Sequence, residues 1–201
     1  MKSTHLSVLF GTLLVAATAS AHATTLDDVK ARGTVNCGVN AAGLVGFASA
    51  DDQVNWQGLD VDYCKAVAAA VPGDPAKVTY VPLTASERFT ALQTSTIDML
   101  SRNTTWTMDR DTKQGLLFAG VNYYDGQGFM VRESLGVTSA LELAGASICV
   151  QTGTTTELNL ADFLKVNNLD ANTVKFERQE EADAAYDAGR CDAYTTDASG
   201  L

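Results

Sequence analysis

Twice along this chain a short β-branched run passes through a turn into a run with helical spacing, and this alternation limits the available folds most. In the first half, residues 34–39, 78–81 and 97–100 read as strands. A helix is expected at 59–71, where Val61, Cys64, Val67, Ala68 and Val71 recur on one face. Another is expected at 86–93, with Phe89 and Leu92 facing inward, and a short one over 25–32 ends at Gly33. The same order restarts past residue 132, with strands at 147–150, 173–176 and 192–196 and helices at 139–143, 155–165 and 180–188. Such alternation builds parallel sheets covered by helices, so the expected fold class is α/β with two lobes. The division falls at 24–131 and 132–201, with residues 129–132 as the strand leaving the first lobe. The chain stops at Leu201, directly after a strand, so the second lobe reads as incomplete and the chain as C-terminally truncated.

Residues 1–23 stand outside this pattern. Lys2 supplies a positive start, residues 6–17 are largely apolar, and Ala21-His22-Ala23 places small residues at a cleavage point. That order is an export signal peptide, and its apolar stretch is short for a membrane span. The mature chain is expected to begin at Thr24.

Export bears on the four cysteines, Cys37, Cys64, Cys149 and Cys191. An even number in an oxidising compartment favours disulfides, and without a CxxC pair the spacing does not suggest zinc. Of three connectivities we choose Cys37–Cys64 and Cys149–Cys191, each joining neighbouring elements of one lobe; buried free thiols are the alternative. The net charge of −10 argues against nucleic acid or an anionic membrane as partner and fits a soluble monomer. Both histidines, His5 and His22, lie in the signal segment. Residues 24–201 therefore hold no Ser-His-Asp or Cys-His constellation, and no metal or cofactor site is expected.

Three stretches carry candidate binding chemistry. Ser101-Arg102-Asn103-Thr104-Thr105-Trp106-Thr107-Met108-Asp109-Arg110 follows the third strand and gathers hydroxyls, an amide, two guanidiniums and an indole into one turn. Arginine pairs with a carboxylate through two parallel hydrogen bonds, so such a turn suits a small zwitterion. Thr107 is the expected N-cap of the next helix, which sets Arg110 in its first turn. Gln151-Thr152-Gly153-Thr154-Thr155-Thr156-Glu157 is a second turn into a helix, with Thr154 and Glu157 spaced as a capping box. Asp197, just past a strand, is either an acceptor for an ammonium group or an N-cap. For Arg88, an ion pair with a nearby carboxylate is expected over a ligand contact. Asp60 and Asp62 read as first-turn acids that suit the helix dipole.

Taken in order, these motifs resemble the periplasmic amino-acid-binding proteins of ABC transporters, the family 3 solute-binding proteins. The likeness is to the general L-amino-acid or glutamate/glutamine/aspartate/asparagine branch. It rests on Gly58-Leu59-Asp60-Val61-Asp62, Arg88-Phe89-Thr90-Ala91-Leu92-Gln93, Asn103-Thr104-Thr105-Trp106-Thr107 with Arg110, Val150-Gln151-Thr152-Gly153-Thr154-Thr155, and Gly189-Arg190-Cys191-Asp192-Ala193 with Asp197. The resemblance implies a type II binding-protein fold that closes on an amino acid and delivers it to a membrane permease, without enzymatic activity. It implies that Arg110 clamps the ligand α-carboxylate beside Thr105, with Thr154 and Thr155 holding it from the second lobe. Asn103 would face the α-ammonium through its carbonyl, and Asp197 would pair with it. Arg102 faces an acidic side chain or lies in the hinge. Leu44-Val45-Gly46-Phe47 departs from the aromatic and Pro-Phe of many relatives, and Ala85 stands where some stack an aromatic on the ligand. An enzyme on the same fold, such as a cyclohexadienyl-type dehydratase, and a sensory input domain are the rival readings.

Overall fold

The computed structural model describes residues 24–201, so the signal-peptide reading of 1–23 lies outside the described residues. Helix α1 (Thr25–Arg32) is opened by a capping box between Thr24 and Asp27 and closed by Gly33 in the left-handed region. Strand β1 (Val35–Asn40) follows, then a hairpin of β2 (Ser49–Ala50) and β3 (Trp56–Gln57), then helix α2 (Leu59–Ala70). Next come β4 (Val78–Leu83), α3 (Arg88–Gln93), β5 (Met99–Leu100) and α4 (Met108–Lys113). Strands β4, β1 and β5 form a parallel sheet in that spatial order. Pro82 is tolerated in β4 because that strand is an edge.

The second sheet is built from β6 (Gln127–Val131), β7 (Ser147–Gln151), β8 (Asn172–Phe176) and β9 (Ala193–Asp197), in the order β6-β9-β7-β8. Helices α5 (Thr155–Val166) and α6 (Gln179–Asp187) connect its parallel members. Strand β6 runs antiparallel to β9 through all five residues. Residues 127–131 therefore hydrogen-bond into the second sheet, although the sequence division assigned them to the first lobe. The reason is pairing, which periodicity does not report. Residues 140–142, expected within an α-helix, form a single 3-10 turn.

Each sheet has its own core. Val35, Cys37 and Val39 of β1 pack on Val61, Cys64 and Ala68 of α2, all essentially buried. In the second sheet Ile148 and Val150 pack on Leu160, while Cys149 packs on Ala182 and Tyr186. The disulfides are Cys37–Cys64, from β1 to α2, and Cys149–Cys191, from β7 to the residue two before β9. Parallel strands share a carboxyl edge, so Asn40 and Ser101 emerge together from one sheet, and Gln151 and Asp197 from the other.

Gly58 pins the glycine-rich loop above α2. Its φ is +122°, and an added Cβ would overlap the Phe47 carbonyl. Leu59 and Asp60 donate their amides to the Gly46 and Phe47 carbonyls, each at 2.9 Å. Gly58→Ala should therefore lower unfolding free energy by about 1–3 kcal/mol, read from urea denaturation. A loss below about 0.5 kcal/mol, the range of ordinary surface substitutions, would show that the loop yields there.

Candidate functional site

The turn after β5 is fixed from below and from across. Ser101 donates its amide to the Gly38 carbonyl at 3.0 Å, and Asn40 Nδ2 donates to Asn103 Oδ1 at 3.1 Å. Thr107 caps α4 by accepting from the Arg110 amide at 3.2 Å. Arg88, only 2% exposed, reaches this turn from α3. Its Nη1 donates to the Asn103 carbonyl at 3.2 Å and to Thr104 Oγ1 at 3.3 Å, and its Nη2 to the Gly153 carbonyl at 3.3 Å. Arg88 thus differs from the expected ion pair: it holds carbonyls of both units together.

The turn after β7 is a capped helix start. Thr154 Oγ1 donates to the Gln151 carbonyl at 2.7 Å and accepts from the Glu157 amide at 3.1 Å. Glu157 Oε2 accepts the Gly153 amide at 2.9 Å, one residue earlier than a capping box requires. Gly153, at φ +71°, lies close against Ser86; a Cβ would meet Ser86 Oγ at 3.0 Å. Thr155, in contrast, turns outward, and its hydroxyl lies 3.0 Å from that of Thr105. Asn103 Nδ2 donates to Asp197 Oδ2 at 3.4 Å, again from one unit to the other.

These contacts enclose two connected spaces. One is a narrow polar slot between Arg88, Gln151, Thr154, Thr155 and Asp197. The other is a chamber of about 400 Å³, walled by Asp60, Arg102, Trp106, Asn122, Gln127 and Asp197 among others. Trp106 and Phe118 stack at its side, with ring centroids 5.3 Å apart. Arg102, Asn103, Thr105, Thr155 and Asp197 border both spaces, and Thr154 borders the slot. Arg110 borders neither; it stands behind Thr105, donating from Nη1 to that residue's carbonyl at 2.9 Å, with its guanidinium over the Phe89 ring.

The arginines favour an anion locally. Arg88, Arg102 and Arg110 are all buried, against a buried Asp60 and a half-buried Asp197, and the exposed Asp125, which also lines the chamber, brings three negative charges against the three positive ones. Burial, with repulsion from Arg102 and Arg110, pushes Arg88 down to about 8, and burial lowers Arg102 to about 10. A negative group entering the site relieves both. Asp197 is shifted upward, first by burial, while the Asn103 amide opposes the shift. Its side chain makes no cap bond to the 3-10 turn that follows, so the N-cap alternative is not realised. Sequence reasoning missed the wall made by Asp60 and Asn122, because an acid in a first helical turn has a sufficient local explanation.

A family model for bacterial extracellular solute-binding proteins, family 3, matches residues 36–190, and the chain belongs to that family. It is 65% identical over 202 residues to the general L-amino acid-binding periplasmic protein AapJ of Rhizobium johnstonii, covering all of this chain and 59% of the relative. It is 59% identical over 197 residues to the glutamate/glutamine/aspartate/asparagine-binding protein BztA of Rhodobacter capsulatus, covering 97% of this chain and 58% of the relative. An ABC transporter periplasmic binding protein from Brucella ovis, solved with glutathione bound, matches with a TM-score of 0.85 at 63% identity, over 90% of this chain and 56% of that one. The chain thus spans just under three fifths of these relatives' length. Its fold is the type II periplasmic-binding-protein fold, and the family is one of transport components.

The two adjacent threonines divide the work. Thr154→Ala should lower stability by about 1 kcal/mol through the lost cap. Thr155→Ala should stay within about 0.5 kcal/mol, because its hydroxyl meets only Thr105. Urea unfolding of both variants checks this, and equal losses would contradict it.

Proposed function

We propose that the protein captures an L-amino acid outside the cytoplasmic membrane and hands it to the permease of an ABC importer. Its ligand class is glutamate, glutamine, aspartate, asparagine or a broader set. The observation that carries this reading is the meeting of Thr105 and Thr155 across the two units, with Asp197 and the arginine cluster beside them. A ligand carboxylate inserted there takes hydrogen bonds from both hydroxyls and from the Thr155 end of α5, while the ammonium goes to Asp197. Arg110, behind Thr105, swings from that carbonyl to the carboxylate, or holds the turn in place for it. Capture by both units at once makes the ligand-bound molecule favour the closed form. The protein works as a periplasmic monomer, is not an enzyme and requires no cofactor. In this assignment the lobes read from the sequence as 24–131 and 132–201 shift to 24–126 and 127–201, because β6 pairs with β9, and the crossing runs through the segment before β6.

Chamber size supports a further ligand. An engineered cavity of about 150 Å³ holds benzene, so by that scale 400 Å³ takes about sixteen heavy atoms, against about ten in glutamate. Glutathione, bound in the Brucella relative, is an amino acid extended through its side chain; at about twenty heavy atoms it exceeds that volume, so it is to be tried because the relative holds it, with only part of it inside the chamber.

The test is a calorimetric panel of the twenty amino acids and glutathione, with Trp106 fluorescence as a second readout because that indole borders the chamber. Binding of none of them removes the proposal. Arg110→Ala should cost about 2–5 kcal/mol of binding free energy, the usual loss when one side of a desolvated charge pair is deleted. Affinity within a few-fold of the parent would exclude the Arg110 assignment. Binding should also weaken on acidification. The ammonium needs ionised Asp197, whose pKa is raised, so affinity falls at a pH above the ordinary aspartate value of about 4. Asp197→Asn should bind weakly at every pH with that dependence gone, and an unchanged pH profile in this variant would contradict the role.

A further inference from the structure

Asp60 and Arg102 stand together in the chamber wall with hydrogen-bonding capacity left over. Asp60 is 2% exposed and Arg102 6%. Asp60 Oδ1 accepts from Asn122 Nδ2 at 3.1 Å, but Oδ2 has no partner. Arg102 Nε and Nη1 are likewise buried without acceptors. The two charges influence each other, yet they do not close into an ion pair. Buried polar groups are ordinarily satisfied, so an anionic acceptor and a cationic donor left unspent in the lining of one chamber require an explanation.

We infer that Asp60 and Arg102 read an amide on the ligand's side chain, Arg102 donating to its carbonyl and Asp60 accepting from its N–H. This rests on the amino-acid-capture reading and specifies the ligand further. A side-chain carboxylate would satisfy Arg102 but set a second negative charge against Asp60. A side-chain ammonium would satisfy Asp60 but confront Arg102. An amide alone offers an acceptor and a donor side by side. Burial raises the Asp60 carboxyl, so its ionised form gains from an N–H donor. Asp60, Arg102 and Asp197 all line the chamber, and the last two also line the slot beside it. The amide is therefore read near the ammonium partner, as in an amino acid with a short side chain. The chamber's size and the mutual crowding of Arg88, Arg102 and Arg110 add a further condition, an anionic group beyond the amide. Primary carboxamides such as glutamine meet the first condition only, whereas γ-linked glutamyl peptides meet both.

The experiment compares ligands that differ at one atom. Calorimetry on the protein would measure N5-methylglutamine against the γ-methyl ester of glutamate, which keeps the carbonyl but replaces N–H by oxygen. Glutamine, glutamate and γ-glutamylglycine would be measured alongside. The amide should bind at least tenfold tighter than the ester, since a site built to pair a polar hydrogen rejects the analogue lacking it. Glutamine should exceed glutamate, and γ-glutamylglycine should bind at least as tightly as glutamine if the anionic group counts; the reverse order confines the site to primary carboxamides and overturns the peptide assignment. In Asp60→Ala the amide–ester gap should close. Equal binding of amide and ester by the parent protein overturns the amide reader while leaving amino-acid capture intact. Failure of every α-amino acid to bind overturns both. The ligand comparison needs no variant, so instability of Asp60→Ala does not shelter the proposal.

Discussion

A single guanidinium organises the site. Arg88 lies where water does not reach, and the carbonyls of Asn103 and Gly153 come from opposite units of the molecule. Charge-assisted hydrogen bonds of this kind are about twice as strong as neutral ones, and a carbonyl stripped of both water and donor is costly. The turn after β5 and the start of α5 are therefore tied to each other through one side chain. Crowding by Arg102 and Arg110 makes that arrangement electrostatically uncomfortable, and an incoming anion relieves it. Structural tie and ligand affinity have a common origin.

Function is partitioned among chemically similar residues in the same way. Thr154 and Thr155 are adjacent and identical in type, yet one hydroxyl is consumed by the helix cap and the other faces Thr105. Asn103 spends its side chain on Asn40 and Asp197, and its carbonyl on Arg88. What remains free for a ligand is a small subset of the polar groups present: Thr105, Thr155, Asp197, Arg102 and one oxygen of Asp60.

Much of this architecture was legible in the sequence because it is local. Helical spacing located α2, the Thr107 and Thr154 caps located α4 and α5, and parallel sheets followed from the alternation of strands and helices. The turn 101–110 was recognisable by its concentration of donors. What stayed hidden is non-local. The partner of β6 is a strand more than sixty residues away, and nothing in Gln127–Val131 announces it. Arg88 has carboxylates within plausible reach in the sequence, but its partners are carbonyls, which every residue carries and no composition reveals. Asp60 was masked by a sound local reason for an acid at that place, and the short hairpin of β2 and β3 by the glycine and alanine around it.

Neither disulfide joins the two sheets. Cys37–Cys64 and Cys149–Cys191 each close within one unit, so the covalent cross-links stiffen the jaws and leave the joint free. In the proposed opening and closing, the polar contacts of Arg88, Asn103 and Thr105 with the second unit would exchange while each hydrophobic core keeps its own packing. Forming or breaking either bridge would accordingly change the durability of one half without setting the angle between the two.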